Sequence, residues 1–432
     1  MGGNQLVNRA ELFRYVRLEV SDDTLTGHYE LDGRRFREEV VFESVSSLRD
    51  PAPVAVAELW FLLAGLSYYK AGAARRIDLG ETGVGPHGRA LLEAALHDGL
   101  GEYSFRNNLP LDDVLITGGT QVRVAPPTLD AARVLIPFGG GIDSVVTVNE
   151  LHHLDRSLFV VSPASGRFAP LEATAAVSKL DVVRAARRLD RQVLRGDENF
   201  FNGHVPVTAM VTLLAVVGAL ASGHGAVAMS NEHSASAANV RWRDRDINHQ
   251  WSKSWAAELL IADAVAERVG TEFVVASFLR DRSELWVAQQ FATAREYHHV
   301  FRSCNRAFAQ APSARAQNWC GTCDKCLFIN LILAPFLDRD ELRDIFASEP
   351  VSDPRLDDAL RSLIGLGLEH KPFECVGDPD ESAVALGRLS ELVAWRDVRR
   401  FGELARLTTP DRDFADLLQP QGSSRVPAHW LR

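Results

Sequence analysis

The apolar positions along this chain change rhythm near residue 130. Before it, Phe13 to Val20 and Leu25 to Phe42 alternate apolar and polar residues, with turn residues at Asp22-Asp23 and Asp32-Gly33. A period of two places one face of a strand on a core, so antiparallel strands are predicted. Val54 to Lys70 is apolar at helical spacing and stops near Gly72. From Arg133 onward, short apolar runs alternate with helical ones. Strands are predicted at Val134–Phe138, Leu158–Ser162, Gln192–Leu194, Val227–Ser230 and Phe273–Ala276. Helices are predicted at Asp143–His153, Leu171–Leu189, Val205–Ser222 and Trp255–Val269. Such alternation implies a parallel, doubly wound α/β sheet with helices on both faces. Beyond Pro350 the pattern is helical and charged. No internal repeat or long low-complexity tract interrupts it.

This organisation predicts three parts. Residues 1–125 form an N-terminal α+β domain, 126–300 the parallel sheet domain, and 301–432 a helical C-terminal region that carries all five cysteines. With 432 residues, 46% apolar and 24% charged, the chain has ample material for a core. The net charge of −10 argues against a nucleic-acid partner, since phosphate binding calls for a basic face. Met1 to Leu12 lacks a basic stretch followed by an apolar run, so no secretory signal is expected. Val205 to Ala221, the most apolar stretch, contains Pro206, Thr208, Thr212 and Gly218 and is short for a membrane span. We expect a buried helix, no membrane insertion and no obligate protein partner.

The strand before residue 138 runs into Ile136-Pro-Phe-Gly-Gly-Gly-Ile-Asp-Ser144. Glycines let backbone N–H groups crowd an anion, the following helix start adds partial positive charge, and Ser144 adds a hydroxyl. No Gly-Lys-Ser/Thr ends the run, so it is not a Walker A loop. It resembles the Ser-Gly-Gly-x-Asp-Ser signature of pyrophosphatase-loop ATPases (adenine nucleotide alpha hydrolase-like), with Gly139 in place of the serine. That resemblance implies cleavage of ATP to AMP and pyrophosphate, with Mg2+ near Asp143. A second glycine-rich loop, Leu79-Gly-Glu-Thr-Gly-Val-Gly-Pro-His87, is either a connector or a loop that approaches an anionic substrate.

The chain has five cysteines. Cys320, Cys323 and Cys326 form a CxxCxxC run, and Cys304 lies upstream. The odd number and tight grouping suit a metal site in a reducing cytosol rather than a disulfide framework. Four thiolates suit structural Zn2+. An iron–sulfur cluster and buried free thiols remain the alternatives, although no Cys-Pro follows the run. Cys375 stands alone and is read as structural.

Between Met229 and Glu258, titratable groups gather after a predicted strand, where ligands of parallel sheets bind. Glu232, His233, His249 and Lys253 are candidate proton-transfer groups. Arg241, Arg243 and Arg245 suit carboxylate or phosphate.

Six blocks now occur in order. They are Leu66-Ser-Tyr-Tyr-Lys-Ala71, Phe138-Gly-Gly-Gly-Ile-Asp-Ser144, Ser230-Asn-Glu-His-Ser-Ala-Ser236, Asn248-His-Gln-Trp-Ser-Lys-Ser254, Trp319-Cys-Gly-Thr-Cys-Asp-Lys-Cys326 and Lys371-Pro-Phe-Glu-Cys375. Together they resemble the bacterial UDP-N-acetylmuramoyl-L-alanyl-L-glutamate epimerases over roughly residues 10 to 380. The resemblance implies a cytoplasmic, ATP- and Mg2+-using isomerase of peptidoglycan precursor synthesis. The terminal L-glutamate is activated as an acyl-adenylate, which acidifies its α-proton, and D-glutamate is formed with release of AMP and pyrophosphate. It implies nucleotide contacts from Phe138, Gly139, Gly140, Gly141, Asp143, Ser144, Ser230 and Asn231. Recognition of the UDP-muramoyl dipeptide falls to the N-terminal domain, with Tyr69 and Lys70 joining Arg241 and Arg243. Two tyrosines at 68 and 69 are equally compatible with a core role. The rival readings are a ligase or amidotransferase resembling cyano-deazaguanine synthases, a tRNA-modifying thiolase or lysidine-type synthetase, and a zinc-stabilised nucleotide-sensing module.

Overall fold

The computed structural model describes residues 8–431 except 123, 128–129, 195–199, 310–311, 317 and 368–370. The chain opens with a meander, β1 (Leu12–Val20), β2 (Thr24–Leu31) and β3 (Arg34–Glu43). The long helix α1 (Pro51–Tyr69) follows, then β4 (Arg76–Asp78), α2 (Pro86–Ala94), α3 (Gly101–Arg106) and β5 (Leu115–Thr117). The parallel part begins with β6 (Asp130–Pro137), α4 (Ile142–Glu150), β7 (Asp155–Pro163), α5 (Ala169–Ser178) and β8 (Val182–Arg188). It continues with α6 (Arg191–Leu194), α7 (Val207–Ala221), β9 (His224–Met229), a small ribbon of β10 (Val240–Trp242) and β11 (Arg245–Ile247), α8 (Trp255–Val269) and β12 (Val274–Ser277). Helices α9 (Glu284–Thr293), α10 (Asp324–Leu333), α11 (Arg339–Phe346), α12 (Asp357–Leu363) and α13 (Pro379–Glu391) dominate the rest.

One ten-stranded sheet takes in strands from both halves, in the order β12-β9-β6-β7-β8-β3-β2-β1-β4-β5. Strands β12, β9, β6, β7 and β8 are mutually parallel. The seam is the antiparallel pair β3–β8, across which Glu38, fully buried, pairs with Arg187 at 2.5 Å.

Side-chain alternation sorts the central strands between two cores. Leu135, Phe159, Val227 and Val275 face one core, built with α1, α7 and α8. Val134, Ile136, Leu158, Val160 and Ala276 face the other, which includes residues of α4, α9 and α10. The result is a three-layer α/β architecture. Helix α1 is long and apolar enough to cross a membrane by length and composition, but 89% of its apolar window is buried, where it packs against α7.

Two predicted elements differ. Leu171–Leu189 is not one helix. It stops at Lys179, which takes a left-handed cap (φ 56°), and the β-branched pair Val182-Val183 opens β8. Gln192–Leu194 belongs to the short helix α6 rather than a strand. The loop Leu79–His87 also resolves. The start of α2 receives an anion from within the chain, because the Glu267 carboxylate accepts from the His87 and Gly88 N–H groups at 3.0 and 3.1 Å.

Candidate active site

The loops after β6, β9 and β12 meet at the carboxyl ends of their strands. After β6, the Phe138 N–H still donates to the Phe159 carbonyl (2.8 Å), so pairing persists up to the glycines. Gly140 is left-handed (φ 72°). A Cβ there would lie 3.2 Å from Leu171 Cδ1, and one at Gly141 would lie 2.8 Å from Ser303 Oγ. A Cβ on Gly139 would meet nothing within 4 Å. Gly141 is the N-cap of α4 and brings no capping side chain. Ser144 donates back to the Gly141 carbonyl (3.1 Å). The result is a side-chain-free cradle at a helix N-terminus, which suits phosphate.

Asp143, on the first turn of α4, has one buried carboxylate oxygen without a hydrogen-bond partner. Burial, with the Glu232 charge added, lifts its carboxyl to about 6. Glu232 follows β9 and is buried, also with one unpartnered oxygen. Burial would raise Glu232, but the Lys253 ammonium and other donors outweigh that and hold it below the usual carboxylate range. Burial, with the charges of Glu232 and Asp143 added, pushes Glu284 well above that range. Burial and neighbouring charge therefore push adjacent carboxyl groups in opposite directions. Burial opposes the charge on Lys253, yet Cys375, Glu232, Asp143 and Glu284 together hold it protonated.

Arg280 fixes this arrangement. Its buried guanidinium donates to the Glu232 carbonyl (2.9 Å), the Lys253 carbonyl (2.7 Å) and the Glu258 carboxylate (2.8 Å). Ser277, at the end of β12, accepts from the Asn231 N–H (2.5 Å) and donates to the Asn231 carbonyl (2.8 Å). Ser230 and Asn231 thus lead from β9 into the cluster.

A second group adjoins it. His249 Nδ1 lies 2.5 Å from Glu102 Oε2, and the His204 ring stands 4.3 Å from the His249 ring. Burial disfavours the His249 charge, but contacts with Cys375 and Glu102 outweigh it and raise the imidazole to about 9. His204 moves the other way, to about 4, through burial and the neighbouring His249 charge. Burial raises the Cys375 thiol, while the Lys253 charge and the hydrogen bond to His249 bring it down to about 7.

The structure does not bring every sequence candidate together. His233 is half-buried and faces the C-terminal segment, where a Cβ on Gly422 would lie 2.9 Å from its ring. Arg241 and Arg243 stand exposed on the β10–β11 ribbon, with Arg243 donating to Asn108 (3.2 Å) and covering Trp242. Arg245 pairs with Asp112 at 2.5 Å. Tyr69 is a core residue whose hydroxyl donates to the Ala74 carbonyl (2.9 Å), so it presents no surface to a ligand. Lys70 donates to Asn202 and to the Gly203 carbonyl.

Sequence reasoning did not single out Glu102, Arg280, Glu284 or Lys325, which the fold brings to these groups. Lys325 adds positive charge beside Asp143, Glu232 and Cys375. Its signal lies inside Cys323-Asp-Lys-Cys326, between two metal-ligand candidates.

The four remaining cysteines converge. The sulfurs of Cys304, Cys320, Cys323 and Cys326 all lie within 4.8 Å of one another, with Cys320–Cys326 at 3.6 Å and Cys323–Cys326 at 3.4 Å. Ligands about 2.3 Å from a tetrahedral zinc stand about 3.8 Å apart, so the donor set fits. Cys323 is the N-cap of α10, which carries Lys325. Cys304 follows Ser303, the residue against Gly141, and the Arg302 N–H donates to the Gly140 carbonyl (3.4 Å).

Comparison with known proteins adds the following. Residues 5–278 match the family model described as the MurL N-terminal domain, and residues 300–414 match the MurL C-terminal domain. A protein of Salinispora tropica is 38% identical over 412 residues, covering 91% of this chain and 88% of its own. One from a Micromonospora species is 38% identical over 456 residues, covering 99% of each. One from Xanthomonas oryzae pv. oryzae is 34% identical over 386 residues, covering 87% of this chain and 84% of its own. All three are named UDP-N-acetyl-alpha-D-muramoyl-L-alanyl-L-glutamate epimerase. No solved structure matches the chain.

Proposed function

The chain belongs to the MurL family, and from that premise we propose that it is an ATP-dependent epimerase acting in the cytoplasm. It converts the terminal L-glutamate of UDP-N-acetylmuramoyl-L-alanyl-L-glutamate to D-glutamate during peptidoglycan precursor synthesis. One observation carries the ATP-dependent part: the glycine cradle at Gly139–Gly141 opens beside a buried cluster of titratable groups, Asp143, Glu232 and Lys253.

The chemistry needs both halves. A proton α to a carboxylate is held tightly because the carboxylate already carries negative charge. Adenylation removes that charge and lets the carbonyl accept the electron pair left at Cα. The cradle of the pyrophosphatase-loop type, with Ser144, binds the phosphates. Asp143, with its unpartnered oxygen, suits Mg2+ among phosphate oxygens. The metal supplies neutralisation of phosphate charge. Lys253 and Lys325 place further positive charge beside the leaving pyrophosphate. The proton-transfer groups are drawn from the cluster that includes Glu232, His249 and Lys253. We assign recognition of the nucleotide sugar to residues 1–125, which already send Glu102 into the site. The cysteine cluster holds structural Zn2+.

The test is incubation of the purified protein with ATP, Mg2+ and the L-glutamyl substrate. The glutamate is then scored by chiral chromatography and AMP is quantified. D-Glutamate and AMP appearing together, each requiring ATP, is the expected result. AMP without D-glutamate would point to a ligase, and D-glutamate without ATP would remove the adenylate.

A further inference from the structure

Cys375 is the cysteine outside the metal-type cluster, and the fold fastens it to His249. Asn239 bridges the two segments: its side-chain oxygen accepts from the His249 N–H (2.8 Å) and its nitrogen donates to the Pro372 carbonyl (2.7 Å). On the other side of both residues, Gln250 Nε2 donates to the Val376 carbonyl (3.0 Å). Asn239 and Gln250 are themselves buried. Phe373 packs on Phe105 (5.5 Å) and under Arg106 (4.9 Å), on the same short helix that carries Glu102. Glu102 occupies His249 Nδ1, while the Cys375 sulfur meets the imidazole as a further hydrogen-bond partner and also faces Lys253 and Lys325. This is the arrangement of a thiol beside an oriented imidazole and two ammonium groups, which favours the thiolate.

We propose that Cys375 is the catalytic residue that exchanges the α-proton of the glutamyl group on one face, with His249 and Glu102 as the positioning residues that orient it. The inference rests on the ATP-dependent epimerase reading above. The Cα–H bond breaks, the proton passes to Sγ to form an S–H bond, and the electron pair moves into the activated carbonyl as an enolate. A second group, for which the protonated Lys253 is the candidate, returns a proton to Cα from the opposite face. The cycle closes when the thiol gives its proton to solvent and the donor regains one. A soft, weakly hydrated thiolate suits carbon deprotonation in a buried site, and the adjacent cations stabilise it without protonating it.

The test uses the full chain and its Cys375→Ala and Cys375→Ser variants, each first shown to melt as the wild type does. Expected is a loss of D-glutamate formation of about 100-fold or more, with ATP- and substrate-dependent AMP formation retained within a few-fold. Epimerisation within a few-fold of wild type in either variant would overturn the proposal. So would parallel loss of AMP formation, which would make Cys375 part of the adenylation site. A His249→Asn variant tests the positioning role: carboxamidomethylation of Cys375 by iodoacetamide should need a higher pH than in the wild type, and an unchanged pH profile would remove His249 from it. Failure of the wild type itself to make AMP would refute the ATP-dependent reading instead, a separately visible outcome.

Discussion

His249 Nδ1 lies 2.5 Å from Glu102 Oε2, although 147 positions separate the two residues. Glu102 sits on α3 in the N-terminal part, and His249 in the turn after β11. The contact therefore ties the half of the chain that we assign to the nucleotide sugar to the half with the glycine cradle. It also consumes one ring nitrogen, which fixes the orientation of the imidazole and favours its charged form.

That contact predicts the effect of Glu102→Gln. The amide keeps the shape but removes the negative charge that helps hold His249 near 9. The imidazolium then loses its proton at lower pH. The alkaline limb of the kcat/KM profile should move down by about one to two pH units, and the rate at pH 8 should fall about 2- to 10-fold. A limb that stays in place would show that His249 is not the group responsible for it.

The cradle predicts opposite outcomes for neighbouring glycines. Gly140→Ala puts a Cβ on a left-handed residue, at a cost of about 1–2 kcal/mol, and crowds Leu171. ATP affinity measured by calorimetry should fall about 10-fold. Gly139→Ser fills open space and restores the hydroxyl of the signature that this loop resembles, so affinity should hold or rise. The reverse order would mean that the loop does not bind phosphate.

The cysteine cluster predicts a link between metal and nucleotide. Cys304 is followed by Asn305 and preceded by Ser303, which lies against Gly141, and Cys323 caps the helix that carries Lys325. Elemental analysis should find one zinc per chain. Stripping it, or Cys326→Ser, should lower the melting temperature and weaken ATP binding together. Stripped protein that binds ATP normally would separate the two sites.

These relationships differ in how visible they are in the sequence. The strand-glycine-helix run at Val134–Glu150 and the CxxCxxC spacing are local, so periodicity and spacing expose them. Strand β8 is hidden because Leu171 to Leu189 keeps apolar residues at intervals that fit a helix. Only the β-branched pair at Val182-Val183 and the left-handed Lys179 break it. Tyr69 shows the limit of residue type: a buried tyrosine is satisfied by one backbone carbonyl, here that of Ala74, and nothing in a Tyr-Tyr pair announces it. Glu102, Arg280 and Glu284 act through partners distant in sequence, so no local pattern marks them. Cys375 reads as structural because its partners, His249 and Lys253, lie more than a hundred residues upstream.

A final prediction concerns stability. Glu381 is fully buried in the first turn of α13, where one oxygen accepts from the Leu285 N–H (3.3 Å) and the other has no partner among the described residues. Burial, with the Asp378 charge added, lifts its carboxyl from 4.5 to about 8. The folded state therefore keeps a proton that the unfolded chain releases above about 4.5. Where the unfolded state binds fewer protons, stability falls as pH rises. The contribution is complete below pH 4.5, declines between 4.5 and 8, and is level above. A tenfold difference in proton affinity between the two states is worth about 1.4 kcal/mol, so the loss is on the order of a few kcal/mol. Glu284, also raised by burial, acts in the same direction, so the comparison must isolate Glu381. Glu381→Gln keeps the acceptor for Leu285 and cannot ionise. Urea midpoints at pH 5 and pH 8 should therefore fall further apart in the wild type than in the variant, with the variant the more stable at pH 8. Equal losses in the two proteins would mean that Glu381 is already ionised in the folded state at neutral pH, held by a partner such as Arg412.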